Sequence, residues 1–315
     1  MINFIRKVRN LIFSVYYFSY DLCRWLLYSG AVFCNENKRV NADVIRIYHA
    51  LEKAISFSDR NYNSGWGTAE LLLSKVIRYE SLLDVGVREA AMGALSNYVN
   101  EFLQNETGAK RKLLAEKIKS YCSSVSDVES VINVQSNSVR VGTLDELMLS
   151  RYSVRNFSDR IVGQGVLKSA IKVAVKTPSS CNRQPWKVIN INKKSTIEQV
   201  LNLQNGNRGF GHLVSNLFVI VVDERVFADP VERRQGLIDG GMFSSSLSLA
   251  LHARGVVSCC LNWSRPPKKD IELRRLLNIE KSHSIIMLMA YGYPVEEYTV
   301  CASRRMNEIH FIEEW

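Results

Sequence analysis

Residues 150–157 read S-R-Y-S-V-R-N-F, and residues 177–186 read T-P-S-S-C-N-R-Q-P-W. The first stretch offers two guanidinium forks, Arg151 and Arg155, with the Ser153 hydroxyl between them. Such donors suit the oxygens of an anion such as phosphate. Arg151 and Arg155 are four apart, which suits one face of a helix; a non-helical turn could also converge them, and a solvated basic terminus with ordinary ion pairs is the plainer reading. In the second stretch Ser179, Ser180, Asn182 and Gln184 lie between Pro178 and Pro185. A loop so bounded exposes backbone donors, and Asn182 can read a polar ring edge. Together the stretches suggest a site for an elongated anionic heteroaromatic ligand.

Working outward, Val166 to Val175 carries a helical apolar stripe that Pro178 stops. Thr143-Leu144-Asp145-Glu146 has the spacing of a capping box opening a helix through Met148 or Arg151. From Trp186 the pattern alternates: strands at Trp186 to Ile191, Leu217 to Val222, Val256 to Leu261 and Ile285 to Ala290, with helices at Ser195 to Leu203 and Asp239 to Ala253. The expected fold is α+β, a mixed central sheet flanked by helices.

The first half differs. All six prolines fall at Pro178 or later, which favours an extended helical region before them. Helices are expected at Thr68 to Leu83, Val87 to Phe102 and Lys110 to Tyr121. A Ser/Asn-rich bridge follows, placing a boundary near 125 to 142. The division is therefore 1–142, a helical extension and linker, and 143–315, the main domain. Residues 1–33 join a basic start to an apolar run interrupted by Asp21 and Arg24. That makes a spanning helix expensive and leaves an interfacial helix, held by Arg6, Lys7 and Arg9 with Trp25 near the boundary, or a partner-facing or buried one.

Across 315 residues, 46% hydrophobic and 23% charged, the composition is that of a folded protein. A net charge of +10 favours acidic ligands or surfaces. No finger spacing or aromatic sheet motif accompanies it, so nucleic acid is not expected. Seven cysteines, an odd set without ribbon or framework spacing, suit a reduced, cytoplasmic setting, with peripheral contact to the inner face of a membrane as an option. His49, His212, His252, His283 and His310 lack H-x-x-x-H spacing, so no metal site is expected.

The pattern R-Y-S-V-R-x-F followed by P-S-S-x-N-x-Q-P-W resembles that of the FMN-dependent nitroreductase family. The resemblance runs from about Leu144 to the C-terminus; D-G-G-M-F-S-S-S-L at Asp239 is similar to the family's central helix, and I-I-M-L-M-A-Y-G-Y-P at Ile285 to a later strand. It implies that Arg151, Tyr152, Ser153 and Arg155 hold the ribityl phosphate, that Pro178, Ser179 and Ser180 border the flavin, that Asn182 addresses its polar edge with Gln184 supporting the loop, and that Arg304 or Arg305 closes the phosphate site. Gly292 would allow close passage of the chain. It further implies a homodimer with FMN at the subunit interface, and transfer of reducing equivalents from NADH or NADPH through flavin N5 to a small-molecule electron acceptor. Thr177 departs from the family's usual alanine, adding a hydroxyl near the cofactor.

Residues 49–57, H-A-L-E-K-A-I-S-F, resemble a segment of nitroreductase-like proteins encoded with polysaccharide-synthesis genes, with Ala54 in place of a glycine. That resemblance implies a link to surface-polysaccharide metabolism and its proteins. His49, Glu52 and Lys53 are candidates for binding an anionic substrate or transferring a proton, against the plainer readings of a structural hydrogen bond for His49 and an ordered polar surface for Glu52 and Lys53. The alternative to an enzyme is a flavin-retaining structural or assembly protein with little turnover of its own.

Overall fold

The structure is a computed structural model that describes residues 2–28, 36–105, 108–123, 128–135, 143–227, 230–307 and 311–313. The end of the 1–33 segment, most of the 125–142 bridge, Cys34 and His310 lie outside the described residues, as do the side chains of Asp21, Arg24 and Trp25.

Two compact units divide the chain, one of residues 1–23 and 135–298 and the other of 24–134 and 299–315. The expected division at 142/143 is thus redrawn at both ends. The last seventeen residues group with the helices because β6 (Glu297–Cys301) pairs with β1 (Val131–Gln135), and the backbone N–H of Ala302 donates to Ser130 O at 3.1 Å.

The helical unit is built from α2 (Glu36–Ser56), α3 (Trp66–Arg78), α4 (Val85–Phe102) and α5 (Ala109–Tyr121). The stripe expected to run to Leu83 breaks at Tyr79 into a short 3-10 turn, Glu80–Leu82. Val44, Leu51, Leu72, Val76, Leu95 and Phe102 are buried at helical intervals, so each helix turns one face inward. The Tyr98 and Phe102 rings stack with centroids 4.3 Å apart.

In the other unit four strands lie in the order β2 (Trp186–Ile191), β3 (Leu217–Asp223), β5 (His283–Gly292), β4 (Val257–Asn262). All three pairings are antiparallel; the parallel component of the sheet is one bridge, Ser153 to Ser258, at the β4 edge. β3 is buried on both faces, consistent with its unbroken β-branched run. One face is covered by α7 (Gln164–Ala174) and α9 (Gln235–His252), whose Leu167, Ala170, Phe243 and Leu247 meet Phe218, Ile220, Met289 and Tyr291. Trp186 stacks on Phe243 at 4.8 Å. The capping box forms as expected, with Thr143 at the N-cap of α6 (Leu144–Ser150) and Glu146 reaching back to it. α8 (Lys194–Leu203) matches its expected range, whereas α10 (Pro267–Leu277), opened by its proline at N1, was not anticipated.

α1 (Ile2–Tyr28) is one continuous helix with Phe4, Ile5, Leu11, Ile12, Tyr16 and Phe18 more than half exposed. No helix among the described residues is long and apolar enough to cross a membrane.

Candidate functional site

Helix α6 ends at Ser150; Arg151 has extended dihedrals, and the non-helical residues after it meet the sheet at Ser153, bridged to Ser258. The arginines therefore do not share a helical face. Val154 and Phe157, 2% and 5% exposed, turn into the core, while Arg151, Ser153 and Arg155 are each half-buried. The backbone N–H of Val154 donates to Ser258 O at 3.1 Å and ties the segment to β4. Phe157 bridges Pro294, and its ring would sit 3.1 Å from a Cβ added at Gly292, so this glycine does permit a close approach.

The two arginines differ. The Arg155 guanidinium lies over the Phe210 ring at 5.9 Å and donates to Ser153 O at 3.2 Å. The half-buried Arg151 makes no side-chain hydrogen bond or ion pair among the described residues. Its charge acts on Cys260 of β4 and on His252 at the end of α9, whose imidazole is pushed below its ordinary pKa, first by burial and then by the Arg151 charge. Ser150 Oγ lies 2.9 Å from His252 Nε2 and donates its proton to Glu146 O at 2.6 Å. The hydroxyl must then accept from the ring, which puts a proton on Nε2; with the pKa lowered, the neutral ring is the Nε2–H tautomer.

The second stretch forms a tight loop in which Cys181, Asn182 and Gln184 all have positive φ, 51°, 53° and 47°. Three non-glycine residues in this region cost conformational energy that the surroundings must offset. Ser179 accepts from the backbone of Asn182 and, through Oγ, from that of Gln184 at 3.0 Å; the Gln184 amide donates to Asn182 O. Arg183, which the sequence reading passed over, donates to Ser180 O, Ser180 Oγ and Val226 O and forks onto both Glu232 oxygens. Asp239, fully buried on α9, accepts the Ser180 backbone N–H at 3.2 Å and the Gln235 amide at 2.8 Å. The exposed Asn182 side chain makes no hydrogen bond among the described residues and stays available to a ligand. The Thr177 hydroxyl, expected near the cofactor, is buried and donates to Ala174 O at 2.7 Å, capping α7.

One chain does not bring the two stretches together. Ser180 is tied to Asp239 and Ser150 to His252, positions thirteen residues apart on α9, or ~20 Å at the helical rise. The sheet gives the same answer independently. Trp186 registers through Val222 with Ser284, and Ser153 through Ser258 with Tyr291; seven strand residues span ~24 Å, and β2 and β4 are opposite edges. The arginines and the amide loop occupy opposite corners of the sheet.

Arg304 and Arg305 belong to the helical unit, where Arg304 Nη1 pairs with Glu89 Oε2 at 2.9 Å and Arg305 donates to Ser303 O. His49 Nδ1 lies 3.0 Å from Glu52 Oε2, one turn on along α2.

The model of the Nitroreductase family matches residues 148–207 and 204–293. A putative NADH dehydrogenase/NAD(P)H nitroreductase of Archaeoglobus fulgidus is 24% identical over 156 residues, 48% of this chain and 86% of that protein. Among solved structures, a putative NADH dehydrogenase/NAD(P)H nitroreductase from Parabacteroides distasonis is 20% identical with a TM-score of 0.48, over 55% of this chain and 98% of its own. An FMN-dependent nitroreductase from Clostridium difficile is 22% identical with a TM-score of 0.42, over 48% and 87% respectively. The match to the Nitroreductase family model spans residues 148–293, both arginines and the whole amide loop included.

Proposed function

We propose that this protein is an FMN-dependent oxidoreductase whose flavin site is shared between two copies of the chain. The observation that carries the reading is the half-buried Arg151, whose side chain has no hydrogen bond or ion pair among the described residues, two and four residues from Ser153 and Arg155 on a segment bridged to the sheet at Ser153. Burying part of a cation with no partner is costly, and an anionic group offsets that cost. This donor set fits the ribityl phosphate, with the Tyr152 backbone alongside it. The loop from Pro178 to Gln184, strained and held by Arg183 and Asp239, offers a preformed polar edge for the flavin ring through Ser179, Ser180 and Asn182.

Because the two sets sit at opposite corners of one sheet, the reading requires a homodimer in which one subunit supplies the arginines and its partner the loop. Bound FMN would supply hydride acceptance from NADH or NADPH and delivery of the reducing equivalents to an acceptor. The protein's contribution is orientation and charge: the neutral His252 ring leaves Arg151 positive without a competing cation beside it. A role in surface-polysaccharide metabolism rests on the segment at His49 alone. An assembly role with little turnover is supported by the exposed apolar side chains of α1, which suit a partner or a membrane surface.

Anaerobic titration of the FMN-loaded protein with NADH and NADPH, following flavin absorbance, tests the reading. Bleaching by either nicotinamide, and recovery on adding an electron acceptor such as a quinone, is expected. Full FMN occupancy without bleaching would leave the assembly role in its place.

A further inference from the structure

We propose that His49, Glu52 and Cys301 form a binding site for a divalent transition-metal ion of the zinc class, contained within the helical unit. A ligand atom from each lies within 4.8 Å of the other two. A tetrahedral zinc with bonds of about 2.0–2.3 Å needs its ligand atoms roughly 3.3–3.7 Å apart, so the three are close to a binding arrangement. His49 and Glu52 are already 3.0 Å apart, on one face of α2 through their i, i+3 spacing.

Cys301 arrives from the far end of the chain as the last residue of β6. Its position is fixed on both sides, by the Thr299 hydroxyl on Asn133 at 3.0 Å and the Ala302 N–H on Ser130 O at 3.1 Å.

Burial gives the second argument. Glu52 is 2% exposed and Cys301 5%. Among the described residues the only hydrogen bond of the Glu52 carboxylate is to His49. A carboxylate withdrawn from water with so little compensation is expensive, and a divalent cation removes that expense. One soft sulfur, one imidazole and one carboxylate exclude magnesium or calcium as the natural occupant and suit zinc or cobalt.

The His49 side chain is 36% exposed, which leaves a route for the ion and a fourth position for water. Binding displaces the Cys301 thiol proton to solvent, and no electron moves.

The test uses the full chain purified without chelators. Elemental analysis should find one zinc per chain after titration and dialysis. X-ray absorption at the zinc edge should show one sulfur at about 2.3 Å and the remaining ligands at about 2.0–2.2 Å. Cys301→Ser should lose the sulfur scattering and weaken zinc affinity at least ~10-fold, and His49→Gln should weaken it comparably. Failure to retain zinc at saturating titration, a shell without sulfur, or an unchanged shell in Cys301→Ser would each overturn the proposal and leave a plain His–Glu hydrogen bond. The wild-type spectrum decides the matter even if a variant does not fold.

Discussion

The backbone N–H of Ser180 donates to Oδ2 of Asp239 at 3.2 Å, fastening a surface loop to a carboxylate that no solvent reaches. Asp239→Ala should strand that N–H and the Gln235 amide. The expected loss is about 1–3 kcal/mol per unsatisfied group, read from urea unfolding midpoints. FMN affinity should fall with it, because the left-handed conformations of Cys181 and Asn182 lose their anchor. Unchanged stability would mean the loop is held by Arg183 and its internal Ser179 hydrogen bonds without Asp239.

Arg151→Ala should behave differently. The guanidinium makes no hydrogen bond among the described residues, so the melting temperature should hardly move. Phosphate contacts of this type are worth about 1.5–3 kcal/mol, so FMN should bind about 10- to 150-fold more weakly in an equilibrium fluorescence titration. Arg155→Ala should weaken binding and also cost some stability, since that side chain packs over Phe210.

His252 gives a pH dependence with a definite sign. Its pKa is lower in the folded chain than the ordinary 6.5, through burial first and the Arg151 charge second. The unfolded chain therefore binds the proton more readily. The stability tied to the neutral ring is fully present above about pH 6.5 and is lost as pH falls through the lower folded value. Unfolding midpoints measured from pH 8 to pH 5 should fall more steeply for the wild type than for His252→Gln; parallel profiles would remove His252 from the account.

Gly240 tests the packing of α9 on the sheet. An added Cβ would stand 2.7 Å from Ile286 Cγ1 and 2.8 Å from Val222 Cγ2. Alanine gains about 1 kcal/mol of helix propensity, but overpacking costs about 1–3 kcal/mol. Gly240→Ala should therefore be destabilising on balance, whereas Gly241→Ala, with open space around it, should stabilise.

Local periodicity carried most of the fold into view. The apolar stripes ending at Phe102 and Tyr121, the capping box at Thr143 and the β-branched run at Leu217 each have a local cause, and each element appears within a few residues of its expected place. The break after Arg78 and the regrouping of residues 299–315 depend on contacts between distant segments, which periodicity does not encode. At the site, Arg151, Arg155 and Asn182 were legible as donor types, but the non-helical backbone beneath the arginines was not. Arg183 and Asp239 escaped notice because their roles are to hold other groups. The P-x-x-x-x-R spacing and a lone acid within an apolar helix were the available signals. The cluster of His49 and Glu52 with Cys301 was invisible to any local spacing rule.

The central claim is that the arginines of one chain and the loop of another serve the same flavin. It is tested most directly by counting FMN in mixed dimers of an Arg151→Ala/Arg155→Ala chain and an Asn182→Gly chain, glycine keeping the positive φ at 182 without the amide. At an FMN concentration where neither variant alone retains flavin, the account predicts one FMN per mixed dimer, because one of its two sites joins intact arginines to an intact loop. Mixed dimers as empty as the separate variants would contradict it.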